Sequence, residues 1–186
     1  FLTRKTPGEN RVVSVLSDGL GSGVKANILS SMTATMALRF VEENMEFLHS
    51  AEIMMDALPV CQVRHISYAT FTIVDSMLHG WTKIIEMDSP ECFLVRNGDI
   101  VPLLRRSVSS SRWKDRTIQL SEAYTLPQDR LILLSDGVTQ AGMGSRAHPL
   151  GWRDSGVREF VLRVVRSSPG ISARQLSHRV VEETLL

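Results

Sequence analysis

Two aspartates share the same unusual surroundings. Asp18 follows the largely apolar run Val12–Leu16, Asp136 follows Leu131–Leu134, and a glycine comes directly after each. The letters Leu-Ser-Asp-Gly occur at both Leu16–Gly19 and Leu134–Gly137, and beyond Asp18 glycine returns at Gly19, Gly21 and Gly23. An aspartate at the end of a buried strand can turn its carboxylate out of the core while its backbone stays rigid. A glycine next to it removes a Cβ, so a ligand or metal can come close to the main-chain carbonyl. Two such strand ends side by side would bring two carboxylates together, and these repel unless a cation lies between them. Hard divalent cations such as Mg²⁺ and Mn²⁺ take carboxylate, carbonyl and water oxygens. The pair Asp18 and Asp136 therefore points to an oxygen-ligated metal site.

The same residues allow other readings. Asp-Gly after a strand is often no more than a turn. Two identical copies, and three alternating glycines after one of them, exceed what a hairpin turn needs. A strand, a glycine-rich turn and a helix also suggest dinucleotide binding. Here the spacing is not G-x-G-x-x-G, the next strand arrives only near Tyr68, and Asp18 would repel a pyrophosphate lacking a metal. Cys61 and Cys92 have no metal-ligand spacing and read as buried free thiols of a reducing compartment. His65, His79, His148 and His178 are scattered and suggest no acid catalyst.

The elements around the aspartates follow from pattern. Phe1–Lys5 and Arg11–Ser17 read as a hairpin about a Pro7–Asn10 turn. Val24–Asn44 reads as a helix whose Ile28, Met32, Met36 and Phe40 share one face and whose small Ala26, Ser30, Thr33, Ala34 and Ala37 would allow close packing on a sheet, with a second helix at His49–Leu58 stopped by Pro59. Tyr68–Asp75, Trp81–Asp88 and Glu91–Arg96 read as a meander, and Asn97-Gly98 is a strong hairpin signal leading into Ile100–Leu104. Ser107–Ser111 reads as a loop. Thr117–Leu120 and Arg130–Ser135 read as strands. Gly156–Arg166 and Ser172–Leu186 read as amphipathic helices, the first lined by Val157, Phe160, Val161, Val164 and Val165, the second by Leu176, Val180 and Leu185. The order predicts an α+β fold with helices covering sheets.

A chain of 186 residues is long enough for one domain with a real core. With 43% hydrophobic and 22% charged residues it has a soluble profile, and a net charge of +1 gives no reason to expect nucleic acid or a membrane surface as partner. The basic cluster Arg105, Arg106, Arg112, Lys114 and Arg116 reads as a solvated loop. No apolar run is long enough to span a membrane. The first residues are not a signal peptide, and a start at Phe1 suggests a fragment of a longer protein.

The segment VLSDGLGSGVKAN resembles the D-G-x-G-x-G segment of the metal-dependent protein phosphatases (the PPM family), in the stage II sporulation phosphatase branch. LILLSDGV resembles that family's second D-G motif, and ECFLVRNGDIVPL its central hairpin. The resemblance runs from Arg11 to Leu186. It implies two stacked antiparallel β-sheets flanked by helices, forming a single phosphatase domain over residues 1–186. It also implies hydrolysis of phosphoserine or phosphothreonine on a protein, by water activated between two Mn²⁺ or Mg²⁺ ions. On this resemblance Asp18 touches both metals, the Gly19 carbonyl binds one, Asp136 binds a metal from the other strand end, and Gly21 and Gly23 shape the turn. The first two helices match a pair that switches such enzymes, which gives Met32 and Met36 a regulatory role.

The family's remaining metal carboxylates fall before Phe1 and after Leu186, so the outermost strands are expected to lie outside this chain. Ser167-Ser168-Pro169 stands where many relatives have an accessory acidic residue. The implied partners are a phosphorylated protein, such as the antagonist of an anti-sigma factor, and an upstream sensor domain. The implied setting is bacterial signalling in the cytoplasm, with any membrane anchor outside this domain. A second reading is a catalytically inactive relative that binds a phosphoprotein. A third is a nucleotide-binding module using the glycine turn.

Overall fold

The computed structural model describes residues 1–6, 10–21, 23–43, 45–58, 69–113, 116–146 and 148–185, with backbone alone for Phe47 and Arg112. The expected Pro7–Asn10 turn lies largely outside these residues, as do Asn44, Pro59, Cys61, His65, Tyr68, Lys114 and Leu186. The chain forms two compact units, Phe1–Ser89 with Leu103–Thr125, and Pro90–Pro102 with Leu126–Leu186. The fold class is α+β, with two antiparallel sheets and flanking helices.

In the first unit the strands are β1 (Leu2–Thr6), β2 (Arg11–Gly19), β3 (Ala69–Met77), β4 (Trp81–Met87), β7 (Arg105–Ser109) and β8 (Thr117–Tyr124). They form one antiparallel sheet in the order β1-β2-β3-β4-β8-β7. Successive side chains alternate across a strand, so Val13 and Val15, Phe71 and Ile73, and Ile85 and Met87 line one face. Against that face pack α1 (Val24–Glu42) and α2 (Phe47–Ala57), through Ala34, Ala37, Leu38 and Val41 and through Ala51, Met54 and Met55. Trp113, in a 3-10 turn over Ser111–Trp113, completes this core with Ile118.

Several expectations need correcting here. Ile28 and Met32 do not face the core; they are 51% and 58% exposed. The buried stripe of α1 is Ala26, Thr33, Ala34, Ala37, Leu38 and Val41. Small residues let the helix backbone lie close on β2 and β3, and close approach outweighs side-chain size in choosing the face. Helix α2 starts at Phe47 rather than His49, because the Glu46 carboxylate accepts from the Leu48 and His49 N–H groups at 3.2 and 2.7 Å. The expected Ser107–Ser111 loop is largely the edge strand β7, which needs ladder bonds on one side only and tucks Val108 against the core. The basic cluster is in part built into the fold. Arg105 pairs with the buried Glu86 at 2.9 Å, and Arg116 donates to the Trp113 and Met55 carbonyls at 3.3 and 3.0 Å.

The second unit holds β5 (Phe93–Arg96), β6 (Asp99–Val101) and β9 (Arg130–Ile132), ordered β6-β5-β9 and antiparallel. The expected meander therefore stops at β4, whose second neighbour is β8, while β5 joins another sheet. Strand β6 ends before Pro102, short of the expected Leu104. The turn at Asn97 and Gly98 has φ of 52° and 81° and closes a two-residue hairpin, as its sequence predicts. Phe93 and Val95 pack with α4 (Arg153–Ser167) and α5 (Ala173–Thr184) through Val157, Phe160, Val161, Val164, Leu176 and Val180. Ser172 caps α5 in a reciprocal box with Gln175. Leu185 lies past the end of α5 and is exposed, outside the apolar side expected of it. Among the described residues no helix is long and apolar enough to cross a membrane.

Candidate metal and phosphate site

Strand β2 carries Asp18 to the margin of the first sheet. Asp18 pairs with Thr70 and Gly19 with Ala69, and the Ser17 hydroxyl donates to the Thr70 carbonyl at 2.7 Å. Asp18 is half-buried and, by alternation, faces away from Val13 and Val15. The three glycines after it serve two separate ends. A Cβ on Gly19 would collide with the backbone of Ala26 in the first turn of α1, so the space it frees is filled by the helix. Gly21 and Gly23 have room for a Cβ but sit at φ of 88° and 82°, a left-handed conformation glycine adopts freely. Gly23 then opens α1, its carbonyl accepting from the Asn27 N–H at 3.1 Å.

In the second unit the run Leu131–Ser135 is not strand to its end. Strand β9 stops at Ile132, and Leu134 is buried in the core. Ser135 precedes a short helix, α3 (Asp136–Thr139), whose first residue is Asp136. The second Leu-Ser-Asp-Gly is therefore a strand-to-helix turn, with Asp136 in the helix rather than on the strand. Asp136 is exposed, and Gln140 Nε2 donates to its carboxylate at 3.4 Å. Gln140 was not singled out in the sequence; its position four residues after Asp136 becomes informative only once α3 is known. Gly137 meets no backbone, its nearest neighbour being Ser135 Oγ at 3.7 Å.

Asp18 and Gly19 thus end β2, Gly21 and Gly23 follow them in the turn to α1, all within the first unit, and Asp136 belongs to the second. Met32 is exposed on α1, and Met36 is partly buried against the first core. The Asp18 carboxylate and the Gly19 carbonyl are hard oxygen donors, which fit Mg²⁺ or Mn²⁺ in kind. Among the described residues no three His, Cys, Asp or Glu side chains converge as a metal cluster. Two cavities are lined by Arg11, Asp75, Trp81 and neighbours, and by Ser168, Gln175, His178 and neighbours; neither contains Asp18 or Asp136.

The family model for stage II sporulation protein E (SpoIIE) matches residues 8–185. This chain belongs to the SpoIIE family. Its fold resembles that of the phosphatase domain of the cell-fate determinant SpoIIE from Bacillus subtilis, with a TM-score of 0.64 at 16% identity, covering 99% of this chain and 75% of that one. It also resembles the RsbU and RsbW domains of a Mycobacterium tuberculosis protein, with a TM-score of 0.71 at 16% identity, covering 95% and 48% of the two chains. RsbX in complex with magnesium matches with a TM-score of 0.63 at 16% identity, covering 97% and 76%. Among curated proteins none matches this chain. The expected resemblance to the sporulation branch of the PPM phosphatases holds, and the fold is that of PP2C-type phosphatase domains.

Proposed function

We propose that the chain is a metal-dependent protein serine/threonine phosphatase of bacterial signalling. The observation that carries this reading is the Asp18 turn, built into a SpoIIE-family fold with a second Asp-Gly at Asp136. In this reading Asp18, the Gly19 carbonyl and Asp136 are metal ligands, and Gly21 and Gly23 hold the turn. Two divalent cations held there would supply an acidified water and neutralise the phosphoryl oxygens. The protein's part is to hold the ligands rigidly, Asp18 on a sheet strand and Asp136 on a helix anchored by Leu134. Residues 1–186 are proposed to belong to one phosphatase domain, whose outermost strands and remaining metal carboxylates lie outside them. Met32 and Met36 are proposed as contacts of a regulator that acts through α1.

The substrate class is a phosphoprotein, and a relative carrying RsbU and RsbW domains in one chain supports partner-switching control of a sigma factor as the setting. The cytoplasm is the compartment such a partner implies. The second reading, an inactive phosphoprotein-binding relative, draws on Ser168, which stands where many relatives carry an accessory acidic residue.

The deciding experiment is hydrolysis of para-nitrophenyl phosphate by a chain extended at both ends, with and without Mn²⁺, against Asp18→Asn and Asp136→Asn. Turnover that requires Mn²⁺ and falls by about 10²-fold or more in each variant is expected. No turnover in the wild type, together with tight phosphoprotein binding, would establish the inactive reading instead.

A further inference from the structure

The stretch between α3 and α4 has a construction that the metal-site reading does not use. Residues 140–146 and 148–151 leave and return to the same point, since a Cβ on Gly151 would collide with Thr139 O and Gln140 Cα at 2.7 and 2.8 Å. Bonds within the stretch hold it closed. Met143 N donates to Gln140 O at 2.9 Å, Ser145 N to Gly142 O at 2.9 Å, Gly144 N to Pro149 O at 3.2 Å, and His148 N to Ser145 Oγ at 2.9 Å. Compact loops whose ends meet in this way are frequently functional. The closure point is Gln140, the residue that bonds Asp136 through both its side chain and its N–H.

The surface of this loop is not that of a solvated connection. Met143 and Leu150 are 56% and 66% exposed, on either side of the Gly144–Pro149 bond. Arg146 is exposed and pairs with no carboxylate among the described residues. No acidic residue occurs from Gln140 to Trp152, and Arg153 follows, exposed, with φ of 66°, a conformation that costs a bulky residue energy. Asp154 is the nearest acid in the chain after Asp136. A rigid loop offering apolar side chains and an unpaired cation complements a polypeptide that is apolar and acidic.

We infer that residues 140–146 and 148–151 form a docking surface for the protein substrate, gripping the chain beside the phosphorylated residue and favouring acidic and apolar side chains there. This inference rests on the phosphatase reading for its substrate, and its test is separable from that reading. The test uses fluorescein-labelled peptides in which a difluoromethylene phosphonate replaces phosphoserine, flanked by Glu and Leu in one and by Lys and Ser in the other. Binding is followed by fluorescence anisotropy, alongside para-nitrophenyl phosphate turnover. The wild type is expected to bind the Glu/Leu peptide about 3- to 10-fold more tightly, a preference that shrinks in high salt. Arg146→Glu is expected to abolish or reverse that preference, and Met143→Ser with Leu150→Ser to weaken the Glu/Leu peptide selectively. Circular dichroism checks that the variants fold. Equal binding of both peptides to the wild type, or a preference unchanged in Arg146→Glu, would overturn the inference even if turnover is normal. A preserved preference without turnover would retain the loop and remove the hydrolase.

Discussion

At the scale of single residues, Gly19, the Arg11–Asp75 pair and Asp129 carry testable consequences. Gly19 is needed because α1 begins against it, so Gly19→Ala must displace either β2 or the helix. A loss of about 1–3 kcal/mol in urea unfolding is expected, larger than for Gly137→Ala, whose Cβ would make only an ordinary contact with Ser135 Oγ at 3.7 Å. Arg11 and Asp75 form a two-pronged pair at 2.7 and 2.9 Å, with side chains 7% and 5% exposed. Arg11→Met would strand a buried carboxylate, and a loss of about 3–5 kcal/mol in the same assay is expected. Asp129 shows how pH acts on the second unit. Burial pushes its carboxyl upward, but bonds from Arg96 and the Leu126 N–H, with the guanidinium charge, outweigh this and hold it below the usual carboxylate range. Its contribution is therefore complete above that range and disappears as pH falls through the lowered value. Melting temperatures taken from neutral pH into acid should fall more steeply for the wild type than for Asp129→Asn, which starts lower.

At the scale of elements, α1 separates what faces the core from what merely looks apolar. Met32→Ser should change stability by less than about 0.5 kcal/mol, because the side chain is exposed. Ala37→Leu should cost about 1–3 kcal/mol, because nothing can yield between the helix and the sheet. If α1 receives a regulator, the first substitution changes activation while leaving the melting temperature in place. The same helix marks the limit of what sequence could tell. Where large residues do the packing, as with Val157, Phe160, Val161, Val164 and Val165 on α4, periodicity found the buried face correctly. On α1 the small residues do it: Ala26, Thr33, Ala34 and Ala37 were legible as allowing close packing, while the large-residue pattern added Ile28 and Met32, which are exposed, to Met36 and Phe40, which are partly buried. The Asn97-Gly98 turn was legible because its cause is local. The Arg11–Asp75 pair was not, since its partners are 64 residues apart and neither has a distinctive neighbour. Asp18 and the glycines were legible as a turn, whereas the actual reason for Gly19, a helix resting on it, needed the fold.

At the scale of the whole molecule, the chain enters the second unit twice. Residues Pro90–Pro102 supply β5 and β6, the chain returns for β7 and β8, and Leu126–Leu186 supplies the rest. Strand β9 finds its partner β5 only across that detour. A fragment of residues 126–186 would then hold three helices and one unpaired strand, without Phe93 and Val95 in its core. Such a fragment is expected to give poorly dispersed amide spectra, whereas joining residues 90–102 to it through a short glycine-serine linker should restore dispersion. A well-ordered fragment lacking the hairpin would show that α4 and α5 suffice alone. The detour also sets a schedule for synthesis on the ribosome. At about 5–20 residues per second, β5 emerges several seconds at most before β9, and during that interval its apolar residues have no strand to pair with on that side. Of the second sheet's described strands β6, β5 and β9, the β5–β6 hairpin, closed by its own left-handed turn, can form while the nascent chain waits.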